Sequence, residues 1–233
     1  MAKSRSTIRT QVRAYLDEST AADWSNTELD TLINTNYHKV YTAVQTVYED
    51  YYLTTGNITT VANQQQYTLP TDFFKLRRVE INYDVSAANG AAQRALPVPL
   101  DAVRRDLGQA NLGVHIFTNP HYYIFQATIG FIPIPDKAGT NAIQLWYIAT
   151  VSDMSSDSDT ITIPYPDRYW HLIAEGATAD ALRFGQQDSP EADKFDRKME
   201  RGIALMQEEL EDRIAEESKS VIDVSGEFID FSV

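Results

Sequence analysis

The sequence predicts an α+β protein in which helical layers from both chain ends flank an inserted, mostly antiparallel β domain, with an extended C-terminal tail. Three observations lead there. Apolar residues recur every three or four positions in the first and last quarters of the chain. Between them the period falls to two, with β-branched and aromatic residues alternating. Beyond the last helical pattern, residues 218–233 carry Val221, Ile222, Val224, Phe228, Ile229, Phe231 and Val233 around Gly226, more apolar surface than so short a segment can bury within itself. The divisions that follow are 1–56 for the N-terminal helices, 57–164 for the β domain, 165–217 for the C-terminal helices and 218–233 for the tail.

Ile8, Val12, Tyr15 and Leu16 share one helical face, with Arg9, Arg13 and Asp17 opposite, so a short amphipathic helix opens the chain. Next comes a capping box. The Ser25 hydroxyl is placed to accept from the Glu28 amide while the Glu28 carboxylate reaches back to the Ser25 amide, and Trp24 precedes it as a staple against Leu29. From Leu29 through Leu32, Ile33, Asn36, Tyr37, Val40, Tyr41, Val44, Val47, Tyr48 and Tyr51 the three-and-four spacing holds, which predicts a helix of about seven turns ending near Gly56.

The β region opens with Ile58 to Val61 and Gln66 to Leu69. A proline turn at Pro70 to Phe73 follows, then a strand from Lys75 to Tyr83 with its charges on one face. Residues 86–93 are small and Gly/Ala-rich, as at a hairpin tip; 94–100, with Pro97 and Pro99, read as a strand edge, and 101–107 as one or two helical turns. Strands at 122–125, 128–133 and 142–148, joined by short turns, are expected to be three antiparallel neighbours, and Ile161 to Pro164 to close the domain.

Pro166 suits the first turn of a helix that carries Tyr169, Leu172, Ile173, Ala177, Ala181 and Phe184 on one face up to Gly185. Ser189-Pro190 starts the last helix, in which Phe195, Met199, Ile203, Met206, Leu210 and Ile214 make the apolar stripe.

Composition removes whole classes of chemistry. Twenty Lys and Arg against 33 Asp and Glu leave a formal charge of −13, which opposes tight, non-specific DNA binding. With no Cys there is no disulfide frame, no thiolate metal site and no cysteine nucleophile. The basic start lacks an apolar core behind it, so it does not read as a signal peptide, and no run of apolar residues is long enough to span a membrane. A soluble protein folded in a reducing compartment is the expectation.

Nor do the motifs assemble a reactive centre. His38, His115, His121 and His171 are scattered; His171 and Glu175, four apart, read as a structural contact. Asp153, Asp157 and Asp159 lack the glycine and the spacing of a calcium loop and read as a solvated acidic loop. The glycines form no phosphate cradle, and the serines lie in no nucleophile elbow. The expectation is a protein without catalytic residues, metal or cofactor. The Tyr37, Tyr41, Tyr48, Tyr51 and Tyr52 series has the spacing of a buried stripe, while Lys75, Arg77, Arg78, Arg104 and Arg105 suit a charged strand face or a partner for acidic surface.

Three stretches in this order resemble the tailed-phage head-to-tail adaptor (connector) proteins, including the tail tubular protein A type of short-tailed phages. They are the opening helix followed by Trp24-Ser25 and a long helix; the turn and strand Tyr67-Thr68-Leu69-Pro70-Thr71-Asp72-Phe73-Phe74-Lys75-Leu76; and Ile163-Pro164-Tyr165-Pro166-Asp167-Arg168-Tyr169-Trp170 leading into an Ala-rich helix, Gly185 and a charged final helix. The resemblance spans nearly the whole chain.

It implies a helical bundle with an inserted β domain, assembled as a ring, commonly a dodecamer, beneath the portal of a DNA phage. The partners it implies are the portal protein, neighbouring copies of the chain, and a tail nozzle or tail tube protein. Its place would be the virion, and the host cytoplasm during assembly, with no membrane partner. The tail residues Val221, Ile222, Val224, Phe228, Ile229 and Phe231 stand where such proteins reach onto the portal.

A ring also needs complementary surfaces on opposite sides of each subunit, for which Lys75, Arg77, Arg78, Arg104 and Arg105 are candidates against Glu208, Glu209, Glu211 and Asp212. Eleven acids against five bases within 186–217 would repel DNA in transit and let it pass without tight binding. The competing reading is a glycan-binding β module, suggested by Tyr122, Tyr123, Trp146 and Tyr147 in adjacent strands.

Overall fold

The computed structural model describes residues 3–18, 23–83, 92–100, 120–185 and 189–217. Two compact units emerge. The described parts of Met1–Tyr51 and Asp153–Val233 form one, and those of Tyr52–Ser152 form the other, inserted in sequence between the helices of the first.

In the helical unit, α1 (Arg5–Tyr15) starts at Ser4, whose hydroxyl accepts from the Thr7 amide. Helix α2 (Asn26–Val47) begins with the expected capping box: the Glu28 amide donates to Ser25 Oγ at 3.2 Å and the Ser25 amide to Glu28 Oε2 at 2.9 Å. Its buried stripe is Leu29, Ile33, Asn36, Tyr37, Val40, Tyr41 and Val44, spaced as the sequence requires. Full burial of each aliphatic member contributes about 1.5–3 kcal/mol. The helix stops short of Gly56. A 3₁₀ turn occupies Glu49–Tyr52 and a strand starts at Leu53, where the β-branched Thr54 and Thr55 favour extended backbone.

Past the β unit, Pro166 opens the short α3 (Pro166–Tyr169), followed by α4 (His171–Gly185) and α5 (Pro190–Glu217). Ser189 caps α5, its hydroxyl accepting from the Ala192 amide. Helix α4 packs against α2, α5 and α1, and α2 and α5 also touch each other. It is more than one-sided: Leu172 through Ala179 are all buried, which its Ala and Gly content permits. At Gly176 an added Cβ would strike Asn36 Oδ1 and Met199 Sδ, so glycine there sets how closely α2 and α5 approach α4. Phe184, expected on the core face, is instead 82% exposed, its ring edge-on to Trp24 at 5.8 Å. The last turn of α4 has run past the core.

The inserted unit is a two-sheet sandwich. Strands β1 (Leu53–Thr60), β3 (Phe73–Ile81), β4 (Gln93–Arg94) and β8 (Gly139–Ala149) form one sheet in the order β1-β8-β3-β4. Strands β2 (Gln66–Thr68), β5 (Leu96–Pro97), β6 (His121–Phe125) and β7 (Thr128–Ile132) form the other, in the order β2-β7-β6-β5. All pairs are antiparallel except β5 with β6. The chain changes sheet at Ala95, which is buried in the shared core with Tyr67, Leu69, Val79, Ile81, Ile129, Phe131, Ile143, Leu145 and Tyr147.

Three β-region expectations need correction. Of the three strands expected side by side, only β6 and β7 pair; β8 runs between β1 and β3, since its eleven residues match those longer strands rather than the short hairpin. Ile161 and Ile163 do not close the β domain. They are buried in the helical unit, where Ile161 donates its amide to Lys3 and Thr160 bridges Ser4. Gln93, placed at a hairpin tip, is in β4 opposite Ile81. The expected turns at 101–107 lie outside the described residues.

Candidate interaction surfaces

The first residues of α1 are clasped to the segment that returns from the β unit. The Arg5 amide donates to the Asp159 carbonyl at 2.9 Å and the Ser6 amide to the Asp157 carbonyl at 3.3 Å. Side chains add to this clasp. Arg9 Nε donates to Asp30 Oδ1 at 2.7 Å and its terminal nitrogen to Oδ2 at 3.0 Å, while Arg9 also pairs with Asp157; Arg5 reaches Asp157 at 2.9 Å and the Met154 carbonyl at 2.6 Å. One guanidinium therefore joins α1, α2 and the returning loop. Hydrogen bonds from Arg9 and Arg5 hold the Asp157 carboxyl below its ordinary range.

The acidic loop is solvated, as its composition predicts, with the Asp153 side chain 67% and that of Asp157 59% exposed, and its acids also make polar contacts. Asp153 meets His38 Nε2 at 2.7 Å, and Asp159 accepts from the Ser155 and Ser156 amides, each at 2.8 Å. Asp153 and Asp157 thus tie the loop to α2 and α1, while Asp159 orders the loop's own backbone. Among the described residues no group of three or more His, Asp or Glu is placed to hold a metal ion. Glu175 is buried on α4, and its pKa is raised by that burial against the opposing pull of His171 and Lys198. No helix among the described residues is long and apolar enough to cross a membrane.

The cationic candidates divide. Along β3 the register with β8 slips between Phe73 and Lys75 and again between Leu76 and Arg78, so the charges do not simply alternate onto one face. Phe74 is pushed outward, and Lys75, Arg77 and Arg78 are exposed. Arg78 is engaged within its own unit: it pairs with Glu80 and lies over the Trp146 ring at 5.1 Å. Arg104 and Arg105 lie outside the described residues, as do the tail positions Val221, Ile222, Val224, Phe228, Ile229 and Phe231.

On α5, Glu208, Glu211 and Asp212 are exposed, whereas Glu209 is half-buried and paired with Arg168. Lys75, Arg77 and Arg78 are exposed cations of the β unit, and Glu208, Glu211 and Asp212 exposed acids of the helical unit.

A glycan platform needs aromatic rings side by side in the open. Tyr123 and Tyr147 are each only 5% exposed. The Tyr123 ring lies against Gly130, where even a Cβ would collide with it, and Tyr147 faces the core and donates to Asp72 at 2.9 Å. Burial, with the Asp72 contact second, pushes the Tyr147 phenol up to about 12. Trp146 is half-buried under Arg78.

Helices from both chain ends, with a β sandwich inserted in sequence between them, make the fold α+β. The family model of the SU10 adaptor protein matches residues 4–221, nearly the whole chain, and the chain belongs to that family. Membership implies a non-enzymatic, virion-associated role in contact with portal and tail components. No curated protein matches the chain.

Proposed function

We propose that this protein is the head-to-tail adaptor of its phage: a ring of identical subunits, dodecameric by analogy with related connectors, seated beneath the portal and joining the capsid to a tail nozzle or tail tube. The observation that carries this reading is the family match over 4–221, which takes in both the helical unit and the inserted sandwich. Neighbouring subunits meet through unlike surfaces, as a closed ring of one chain requires, with the exposed Lys75 and Arg77 of one copy facing the Glu208, Glu211 and Asp212 side of the next.

The excess of acids in 186–217 gives the ring wall a negative potential, so duplex DNA passes without adhering. Residues 218–233 form the hook to the portal, with Val221, Ile222, Val224, Phe228, Ile229 and Phe231 supplying its apolar contacts. Assembly takes place in the host cytoplasm and the finished ring stays in the virion.

The test is co-elution of purified protein with portal rings, monitored by light scattering, beside a chain ending at Glu217. The full chain is expected to travel with the portal and the shortened one to lose that association. Separate elution of the full chain would overturn the reading.

A further inference from the structure

The exposed face of α5 has a pattern that packing within the helical unit does not require. Lys194, Arg197, Lys198, Arg201, Ala204, Leu205, Glu208, Glu211 and Asp212 are all exposed, and at 3.6 residues per turn they fall on one stripe. The stripe is basic in its first half, apart from Asp193, which pairs with Arg183 of α4, and acidic in its second, and its centre is apolar, with Leu205 51% exposed.

From these observations we infer that α5 is a self-complementary docking surface for a second copy of this chain, packed antiparallel across a two-fold axis that passes between Ala204 and Leu205. In that arrangement each Arg201 lies opposite Glu208 of the other copy, each Lys198 opposite Glu211 and each Arg197 opposite Asp212, so every charged pair across the axis is of opposite sign. Ala204 at the crossing point lets the helices approach closely, and the two Leu205 side chains cover each other there. A two-fold contact uses one patch twice, and such a patch must be complementary to itself reversed end to end.

The pairing involves a stretch of about 22 Å of helix, from Arg197 to Asp212 at 1.5 Å per residue. This is a short contact with an apolar centre and a charged rim, which places it among weak, reversible interfaces. In a closed ring the α5 helices of all subunits are related by rotation about one axis and cannot meet end to end. The dimer is therefore a state of the protein outside the ring. It covers Glu208, Glu211 and Asp212, which the proposed ring contact needs, so one contact excludes the other; only this last point rests on the adaptor reading.

The experiment is sedimentation velocity on the full chain over a concentration series, without portal, with circular dichroism checking that each variant is folded. The parent is expected to show a monomer–dimer equilibrium. R201E places two like-charged pairs in each dimer and is expected to weaken dimerisation about tenfold or more. E208R is expected to do the same. The doubly reversed chain, R201E with E208R, restores opposite signs across the axis and is expected to return the dissociation constant to within about threefold of the parent. L205D, which buries two carboxylates at the crossing, is expected to abolish the dimer.

A chain that stays monomeric at every concentration overturns the inference. So does a dimer indifferent to R201E, or a double reversal no better than the single ones. Failure of the portal experiment leaves this result standing, because no portal is present in it.

Discussion

Replacing Arg9 by Met tests how the helical unit is closed around its insertion. Methionine keeps the stem and its packing but removes the guanidinium that holds α1, α2 and the returning loop together. The Arg9 side chain is 11% exposed and Asp30 16%, so their two hydrogen bonds, at 2.7 and 3.0 Å, are largely shielded from water. Charge-assisted bonds of this kind contribute about 1.5–3 kcal/mol each, and breaking a fully buried pair costs about 3–5 kcal/mol.

Two features reduce that figure. Asp157 is 59% exposed, so losing its contact with Arg9 costs little. Arg5 stays 3.6 Å from Asp30 and partly compensates the stranded carboxylate. The expected loss is therefore about 2–3 kcal/mol. It is measured by urea unfolding followed through the helical circular dichroism signal, with the slope unchanged. Adding Asp30→Leu removes the stranded charge, and the double variant should recover about 1–2 kcal/mol relative to additivity. A loss under about 0.5 kcal/mol, or strict additivity, would refute the claim that this guanidinium fastens the unit.

Glu175→Gln should raise the melting temperature at neutral pH. Burial lifts the Glu175 pKa in the folded state, so its favourable contribution is complete below the unfolded value near ~4.3 and is lost as pH rises through the folded one. The advantage of the variant should shrink toward acid, and an equal gain at every pH would contradict the burial argument. Asp157 behaves oppositely: its folded pKa is lowered, so its contribution is present above about pH 4 and fades as pH falls through the folded value. Asp157→Asn should lose stability at neutral pH and converge with the parent in acid, as thermal melts across pH will show. Gly176→Ala should destabilise by about 1–2 kcal/mol in chemical unfolding, the overpacking against Asn36 and Met199 exceeding the helix-propensity gain of about 1 kcal/mol; a more stable variant would mean that α2 and α5 can retreat from α4.

Much of this architecture was legible in the sequence because it is locally encoded. The capping box at Ser25 and Glu28, the α2 stripe and Pro166 at a helix start each depend on neighbours within one turn, and the structure has them where the spacing puts them. What failed depended on partners far along the chain. Strand β8 was separable from β6 and β7 only by its length, and a period-two pattern does not say which edge it pairs with. The bulges in β3 broke the face on which Lys75, Arg77 and Arg78 were expected to lie.

Arg9 joins Asp30 and Asp157, the second nearly 150 positions away, and no local signal announces that pairing. The α5 stripe was partly visible: its basic and acidic halves can be read from the sequence, and only the exposure of Ala204 and Leu205 between them was missing.

The central claim is that this chain forms a ring on a portal. The most direct measurement is electron cryomicroscopy of full-length protein mixed with its portal rings, read for the rotational symmetry and radial order of any added density. The account predicts a complete layer of adaptor subunits on one end of the portal, matching its symmetry or a simple multiple, with Lys75 and Arg77 of each subunit against the acidic end of α5 in the next and acidic helix facing the lumen. Portal rings without added density, or decorated by isolated copies that share no subunit contact, would contradict it.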